Sequence, residues 1–260
     1  MRSVRFTVQL ALTSVLGVSL FSCATPPSAH VATLAEQIQS DTAIGRRMSE
    51  PFEAGLKIRS DMELSVFLRG VAAKMADTLP ELKSSPIGVW IVADRDAKWR
   101  NYALPGNRVY LSSKLLKGMD YENEVAAAIA FELGHIVKRH AVLRLERQKN
   151  GAGIPGDLAD EPSSVDYFSA RGIFTYDQSE LKAATEAAIR LMYQAEYDPR
   201  GLISLWNRYQ SEPQHSPFEP EVLVKLVEWS RQSIALYSPL RNPIIRSEAF
   251  MKMQKRFRRL

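Results

Sequence analysis

Residues 123–140 read NEVAAAIAFELGHIVKRH, and this stretch decides the fold. Val125, Ala128, Ile129, Glu132, Leu133, Ile136 and Val137 recur at the three-and-four spacing of one helical face. The spacing predicts an amphipathic helix capped by Asp120, with Glu122 and Glu124 at the positive end of its dipole, running to about Arg147. Inside it stands Phe131-Glu132-Leu133-Gly134-His135.

That string is one residue short of His-Glu-x-x-His. In the complete motif, two histidines one helical turn apart hold zinc, and the intervening glutamate is general base to the metal-bound water. Here Glu132 and His135 stand at the base and the second ligand, while Phe131, which has no lone pair, stands at the first. The other three histidines offer no replacement. On a continuous helix His140 lies five residues from His135 and does not share its face. His30 falls in an N-terminal tether and His215 in a Pro-rich linker, where a structural role is expected. A catalytic zinc needs three protein ligands plus water, so His135 alone cannot supply the site.

The chain has 260 residues, 45% hydrophobic and 24% charged, the composition of an ordinary globular protein with one sizeable core. A net charge of +5 with no basic-aromatic motif gives no footprint for nucleic acid. Arg2 and Arg5 precede an apolar run over residues 6–21 that ends in Leu20-Phe21-Ser22-Cys23, and Cys23 is the single cysteine. This reads as a lipoprotein signal peptide over residues 1–22 with Cys23 as the lipidated first residue of the mature chain. Several acyl chains on one residue give stable anchoring. A lone thiol forms no internal disulfide, so the core holds the mature domain. Ala24 rather than Asp after Cys23 resembles lipoproteins of the Gram-negative outer membrane, which sets the expected location as periplasmic and lipid-anchored there.

Residues 23–42 are read as lipidated cysteine and tether, 43–209 as the main domain, and 210–260 as a linker and helical extension with a basic tail. Residues 34–59 read as helix interrupted at 49–51, and 61–79 as an amphipathic helix ending before Pro80. IGVWIV at 87–92 reads as a buried strand, and Pro105-Gly106-Asn107 as a turn releasing a strand over Arg108, Val109, Tyr110 and Leu111. Residues 149–164 read as a long loop or a disordered lid. Helices follow over 179–196, from Pro199 to Tyr209, and over 221–237. Lys252, Lys255, Arg256, Arg258 and Arg259 read as a solvated helix end, with contact to anionic headgroups as the alternative.

Four segments in order resemble the family of zinc metallopeptidases that includes the heat-shock protease HtpX, the CAAX prenyl protease and periplasmic BepA-like peptidases. NYALPG at 101–106 looks like that family's N-A-x-A-x-P-G. Residues 122–140 look like E-x-E-L-A-x-x-x-x-H-E-x-x-H-x-x-x-R-H. The helix from Ser179 lies where the third zinc ligand belongs, and Tyr197-Asp198-Pro199 looks like the turn after it. The resemblance implies an α+β, mainly helical, gluzincin-type fold with a small β-sheet packed on the FELGH helix. It also implies a third ligand from an E-x-x-x-D motif, and its spacing puts Leu181 at the Glu and Thr185 at the Asp. Glu180 is adjacent, but a one-residue shift turns a helical side chain by about 100°.

Two readings remain open. In the first, the chain is an inactive, protease-like envelope lipoprotein that binds unfolded or envelope polypeptides or a partner protein. Glu132 is then vestigial, and no cofactor is expected. By resemblance, the Arg108–Leu111 strand is the edge that pairs with peptide backbone. In the second, it is an active zinc endopeptidase with a rearranged site, with Glu132 as general base, His135 as ligand and Glu180 as the weak candidate for another.

Overall fold

The computed structural model describes residues 32–83, 86–93, 97–151 and 173–260. The signal peptide, Cys23, His30 and most of the 149–164 loop lie outside the described residues. The elements, numbered among the described residues, are α1 (Leu34–Ala54), β1 (Lys57–Arg59), α2 (Met62–Ala76), α3 (Pro80–Lys83), β2 (Gly88–Ala93), β3 (Tyr102–Leu104) and β4 (Arg108–Ser112). They continue with α4 (Ser113–Lys117), α5 (Glu122–Val137), α6 (His140–Gly151), α7 (Gln178–Gln194), α8 (Arg200–Ser211), α9 (Pro220–Ile234) and α10 (Glu248–Phe257).

Every residue of α5 is buried. The periodicity predicted one apolar face. The other faces are closed by Ala126, Ala127 and Ala130, which are small enough for neighbours to approach on all sides, as in a helix at the centre of a core. The sheet lies against one side of α5, while α7 and α8 lie against the others. Gly134 sets the α7 distance: a Cβ there would fall 2.5 Å from the Ala184 carbonyl oxygen. The N-terminus is capped one residue later than expected, at Tyr121. Glu124 Oε2 accepts from the Asp120 N–H at 2.8 Å and the Tyr121 N–H at 3.3 Å, so a carboxylate covers two free donors.

The sheet has strand order β1-β2-β4-β3, with β2 and β4 parallel and the outer pairs antiparallel. This corrects one expectation. The Arg108–Leu111 strand pairs with β2 on one side and β3 on the other, so its backbone is already hydrogen bonded along both edges. Among the described residues the outermost strand on that side is β3, within the NYALPG segment.

The central helix does not run to Arg147. It ends at Lys138, Arg139 takes the left-handed backbone conformation (φ 54°), and α6 starts at His140. For a residue with a Cβ this conformation costs roughly 1–2 kcal/mol. The Arg139 side chain offsets it: Nε and Nη2 donate to the two Asp41 carboxylate oxygens at 2.7 and 2.8 Å, and Nη1 donates to Gln37 Oε1 at 3.0 Å.

At the N-terminal side, α1 starts within the segment read as tether and is continuous through Pro51, with no interruption at 49–51. A proline in the last turn removes one hydrogen bond, and burial of Met48 and Phe52 holds that turn in place. Lys57–Arg59 is strand rather than helix. At the C-terminal side, Leu223 and Leu226 of α9 and Phe250 and Phe257 of α10 join the same core as α5, so residues 210–260 are packed structure. The tail is also less free than its charge suggested, since Arg256 Nη1 donates to Asp61 Oδ2 at 3.1 Å and Arg258 pairs with Asp120.

Candidate functional site

Residues 131, 132 and 135 are neighbours on one side of α5 and line a common cavity of about 350 Å³. Phe131 sits where the first zinc ligand was expected. Its ring is edge-on to His135, with centroids 4.8 Å apart, and edge-on to Trp206 of α8, 4.9 Å apart. Leu181, at the expected third-ligand position, forms another part of the wall, and Thr185 spends its hydroxyl on the Leu181 carbonyl at 2.8 Å. Phe218, Tyr209, and Tyr102 and Ala103 of β3 complete most of the lining.

His135 and His140 come together. Their Nδ1 atoms are 2.9 Å apart, so one ring donates and the other accepts. The break at Arg139 causes this: the chain reverses its local twist before α6 begins, and His140 returns to a face that a continuous helix would have denied it. Tyr176 stacks on His135 at 3.8 Å between centroids, and the Arg144 guanidinium lies over the Tyr176 ring, 5.6 Å from its centroid. His135 Nε2 and Tyr176 Oη are buried without a hydrogen-bond partner among the described residues.

The charges around this cluster are few. Burial pushes the Glu132 carboxyl up to about 8, so it is protonated at neutral pH. Burial, followed by the neighbouring His140 and Arg144, holds His135 well below the ordinary imidazole range. Burial brings His140 down to about 4 despite the attraction of Glu180. Burial also raises the Tyr176 hydroxyl far above its usual value. At pH 7 the floor of the cavity is polar and uncharged.

Glu180 is buried but committed. It pairs with Arg144 and, at 3.2 Å, with Arg147, and it accepts from the Asp177 N–H at 3.0 Å as half of the capping box that starts α7. His215 stands apart: it stacks on Trp99 at 4.5 Å, and its Nδ1 lies 2.7 Å from the Ala97 carbonyl oxygen.

A continuous helix keeps His140 off the face of His135, although Arg139-His140 matches the end of the family segment. Tyr176 and Arg144 carried no local signal; they reach the site from α6 and from the turn before α7.

A helix bearing Glu132 and His135 over a small mixed sheet, flanked by the helix that carries position 181, defines a metallopeptidase-like domain. Residues 68–153 match Peptidase family M48, so this part of the chain is similar to that family. The chain is similar to the β-barrel assembly-enhancing protease of Yersinia pestis, 23% identical over 138 residues, covering 47% of this chain and 28% of the relative. The protein of that name from Escherichia coli K12 is 22% identical over the same length and coverage. The chain thus matches less than a third of the length of these relatives.

The family's zinc does not fit the side chains present. Of the positions the resemblance assigns to ligands, His135 alone offers a lone pair, through Nε2. Phe131 and Leu181 present carbon. Glu180 is neutralised by two arginines, and the His140 Nδ1 is taken up by His135. Among the described residues no group of three or more His, Cys, Asp or Glu is placed to hold a metal ion.

Proposed function

We propose that this protein is a proteolytically inactive, metallopeptidase-like lipoprotein of the bacterial envelope that binds polypeptide or a partner protein. The observation that carries the reading is Phe131: a phenyl ring packed against Trp206 and His135 stands where a metal ligand is needed. Without a metal there is no Lewis acid and no lowered water pKa. A carboxyl protonated at neutral pH is not a general base. The scaffold keeps a cavity of about 350 Å³ lined by residues of β3, α5 and α8, which supports a binding role. The LFSC string at residues 20–23 supports the lipid anchor, and the similarity to envelope-type proteases supports the periplasmic side of the outer membrane. No helix among the described residues is long and apolar enough to cross a membrane.

Zinc content by elemental mass spectrometry, on protein purified without a metal-affinity tag, tests the reading. Zinc far below one per chain is expected, together with no chelator-sensitive cleavage of casein and measurable affinity for an unfolded polypeptide. One tightly held zinc lost in His135→Ala, or cleavage abolished by chelator and by Glu132→Gln, would establish the active alternative instead.

A further inference from the structure

We infer that a second groove, formed by the C-terminal ends of α7 and α9 and the chain that follows α9, takes a proline-rich, acidic segment of a partner polypeptide. Asp198 lines this groove, and Asn123 at the start of α5 donates to the Asp198 carbonyl at 3.3 Å. Twelve helical residues separate Asn123 from His135, so the groove lies about 18 Å along α5 from the Phe131 cavity. It stands whether or not that cavity binds anything.

The shape suits a narrow chain bearing flat rings. The groove has a volume of about 260 Å³, and its walls are Tyr193 of α7, Tyr237 just after α9, and Pro199, Pro239, Leu240 and Pro243. The two tyrosine rings lie 4.5 Å apart between centroids, inclined at 36°. They offer ring faces and edges to an incoming ring, and the pyrrolidine of proline is flat and apolar. Leu236, next to Tyr237 in the chain, is 83% exposed and adds apolar surface.

The backbone of the groove selects how that chain runs. The Ile244 N–H donates to the Glu196 carbonyl at 2.7 Å, and the Asp198 N–H donates to the Ile244 carbonyl at 3.0 Å. The Glu122 N–H ties the same turn to α5 by donating to the Ile245 carbonyl at 2.9 Å. The groove is thus held in shape from behind, and these donors are spent. Pro199, Pro239 and Pro243 have no N–H. Strand addition needs a row of donors and acceptors, which such a wall does not supply. A polyproline II segment makes no backbone ladder, presents a ring at each turn of three residues, and is extended before it binds.

The charge around the groove selects the flanking residues. Both Asp198 carboxylate oxygens accept from Arg200 Nε at 2.9 Å, and Oδ1 accepts from the Arg200 N–H at 3.0 Å, so the carboxylate is neutralised. The Arg200 side chain remains 69% exposed. Glu196 at the adjoining turn has Lys74 at 3.9 Å. Arg241, next to Leu240, is exposed and makes no ion pair with a described residue. Arg190, one helical turn before Tyr193, has its Nε buried without a partner among the described residues. Charge complementarity asks for a carboxylate beside the prolines.

The test uses three acetylated, amidated peptides: six prolines followed by two glutamates, six prolines followed by two lysines, and six alanines followed by two glutamates. Binding to the lipid-free full chain is followed by protein-detected NMR. The proline–glutamate peptide is expected to bind saturably, roughly tenfold tighter than either control. Tyr237→Ala is expected to weaken it by about tenfold. Arg241→Glu is expected to weaken it as well and to strengthen the proline–lysine peptide. Arg241 is a surface residue, so this second variant keeps the proposal falsifiable if Tyr237→Ala fails to fold. Equal affinity for the three peptides, or proline–glutamate binding unchanged in folded Tyr237→Ala or in Arg241→Glu, would overturn the proposal. Self-association in sedimentation velocity, or flotation with phosphatidylglycerol vesicles, lost in Arg241→Glu and unaccompanied by any preference for proline peptides, would give the face to a second copy or to lipid and overturn it too. Zinc content and affinity for unfolded polypeptide are separate measurements, so failure here leaves the proposed function standing.

Discussion

The Nδ1 atoms of His135 and His140 lie 2.9 Å apart across a break in the backbone at Arg139. On one continuous helix the two residues would diverge by about 140° around the axis. The contact therefore depends on the left-handed turn, and the turn depends on an ion pair reaching 98 residues back to Asp41 in α1. The geometry of the candidate site is set from outside the site. The pairing fixes the orientation of His135 and leaves its Nε2 towards the cavity, as a hydrogen-bonded outer partner does for a ligand histidine.

Substitutions at Arg139 test that dependence. Arg139→Ala should destabilise the fold by about 3–5 kcal/mol, because it leaves the buried Asp41 carboxylate unpaired. Arg139→Gly loses the same pair but suits φ 54°, so it should be more stable than the alanine variant by about 1 kcal/mol. In an uninterrupted helix the order is the reverse, with alanine favoured by about the same amount. Urea unfolding of the two variants side by side decides between these arrangements.

Stability should fall from near-neutral to alkaline pH in a way that Glu132 controls. Its folded pKa is raised from 4.5 to about 8 by burial, so the native state retains a proton that the unfolded chain has lost. That contribution is fully present below about 4.5 and disappears as pH rises through about 8. The histidines act with the opposite sign. Their folded values are lowered, so their contribution holds above 6.5 and is lost as pH falls, for His140 towards about 4. Between 6.5 and 8 the carboxyl dominates. Glu132→Gln should therefore flatten the profile there and exceed the native protein at pH 8.5 by an amount on the order of 4 kcal/mol. Equal pH profiles for the two proteins would show that Glu132 is solvated.

What the sequence could reveal follows from how local each feature is. α2, β2 and α7 were legible because their periodicity, caps and breakers lie within a few residues of the elements they define. That Phe131 and Leu181 line one cavity was within reach of sequence spacing, since both lie on helices. The turn at Arg139 was not. No glycine or proline marks Lys138-Arg139-His140, and the stabilising partner is distant in sequence. The interior place of β4 was equally hidden, because strand order depends on β1 and β3, three residues each, too short to leave a pattern. The basic tail misled because composition cannot see Asp61 or Asp120 across the fold.

Phe131 is a packing residue, and this separates it from a ligand. Phe131→Ala should cost about 3–5 kcal/mol in thermal or urea unfolding, the range for a buried aromatic truncated in a core. Zinc affinity gives the complementary measurement. Phe131→His alone supplies two donors and should leave zinc binding weak. Phe131→His with Leu181→Glu supplies three around one cavity and should bind zinc at least a hundredfold more tightly in chelator competition. Tight zinc binding by the unaltered chain would remove the basis for this comparison.

Gly134 is where the core and the site are coupled, since it sits between Leu133 in the packed interior and His135 at the cavity. A methyl group there would lie 2.5 Å from the Ala184 carbonyl oxygen, a backbone atom that cannot rotate away. Gly134→Ala would raise helix propensity by about 1 kcal/mol if α5 were free. Against α7 it must instead push the two helices apart, at a typical cost of about 1–3 kcal/mol for an overpacked core. The displacement carries Leu181, three residues before Ala184, away from Phe131 and opens the cavity. The variant should thus be less stable than the native protein despite its better helix former. A Gly134→Ala protein of native or higher stability would mean that α5 and α7 are not in such close contact.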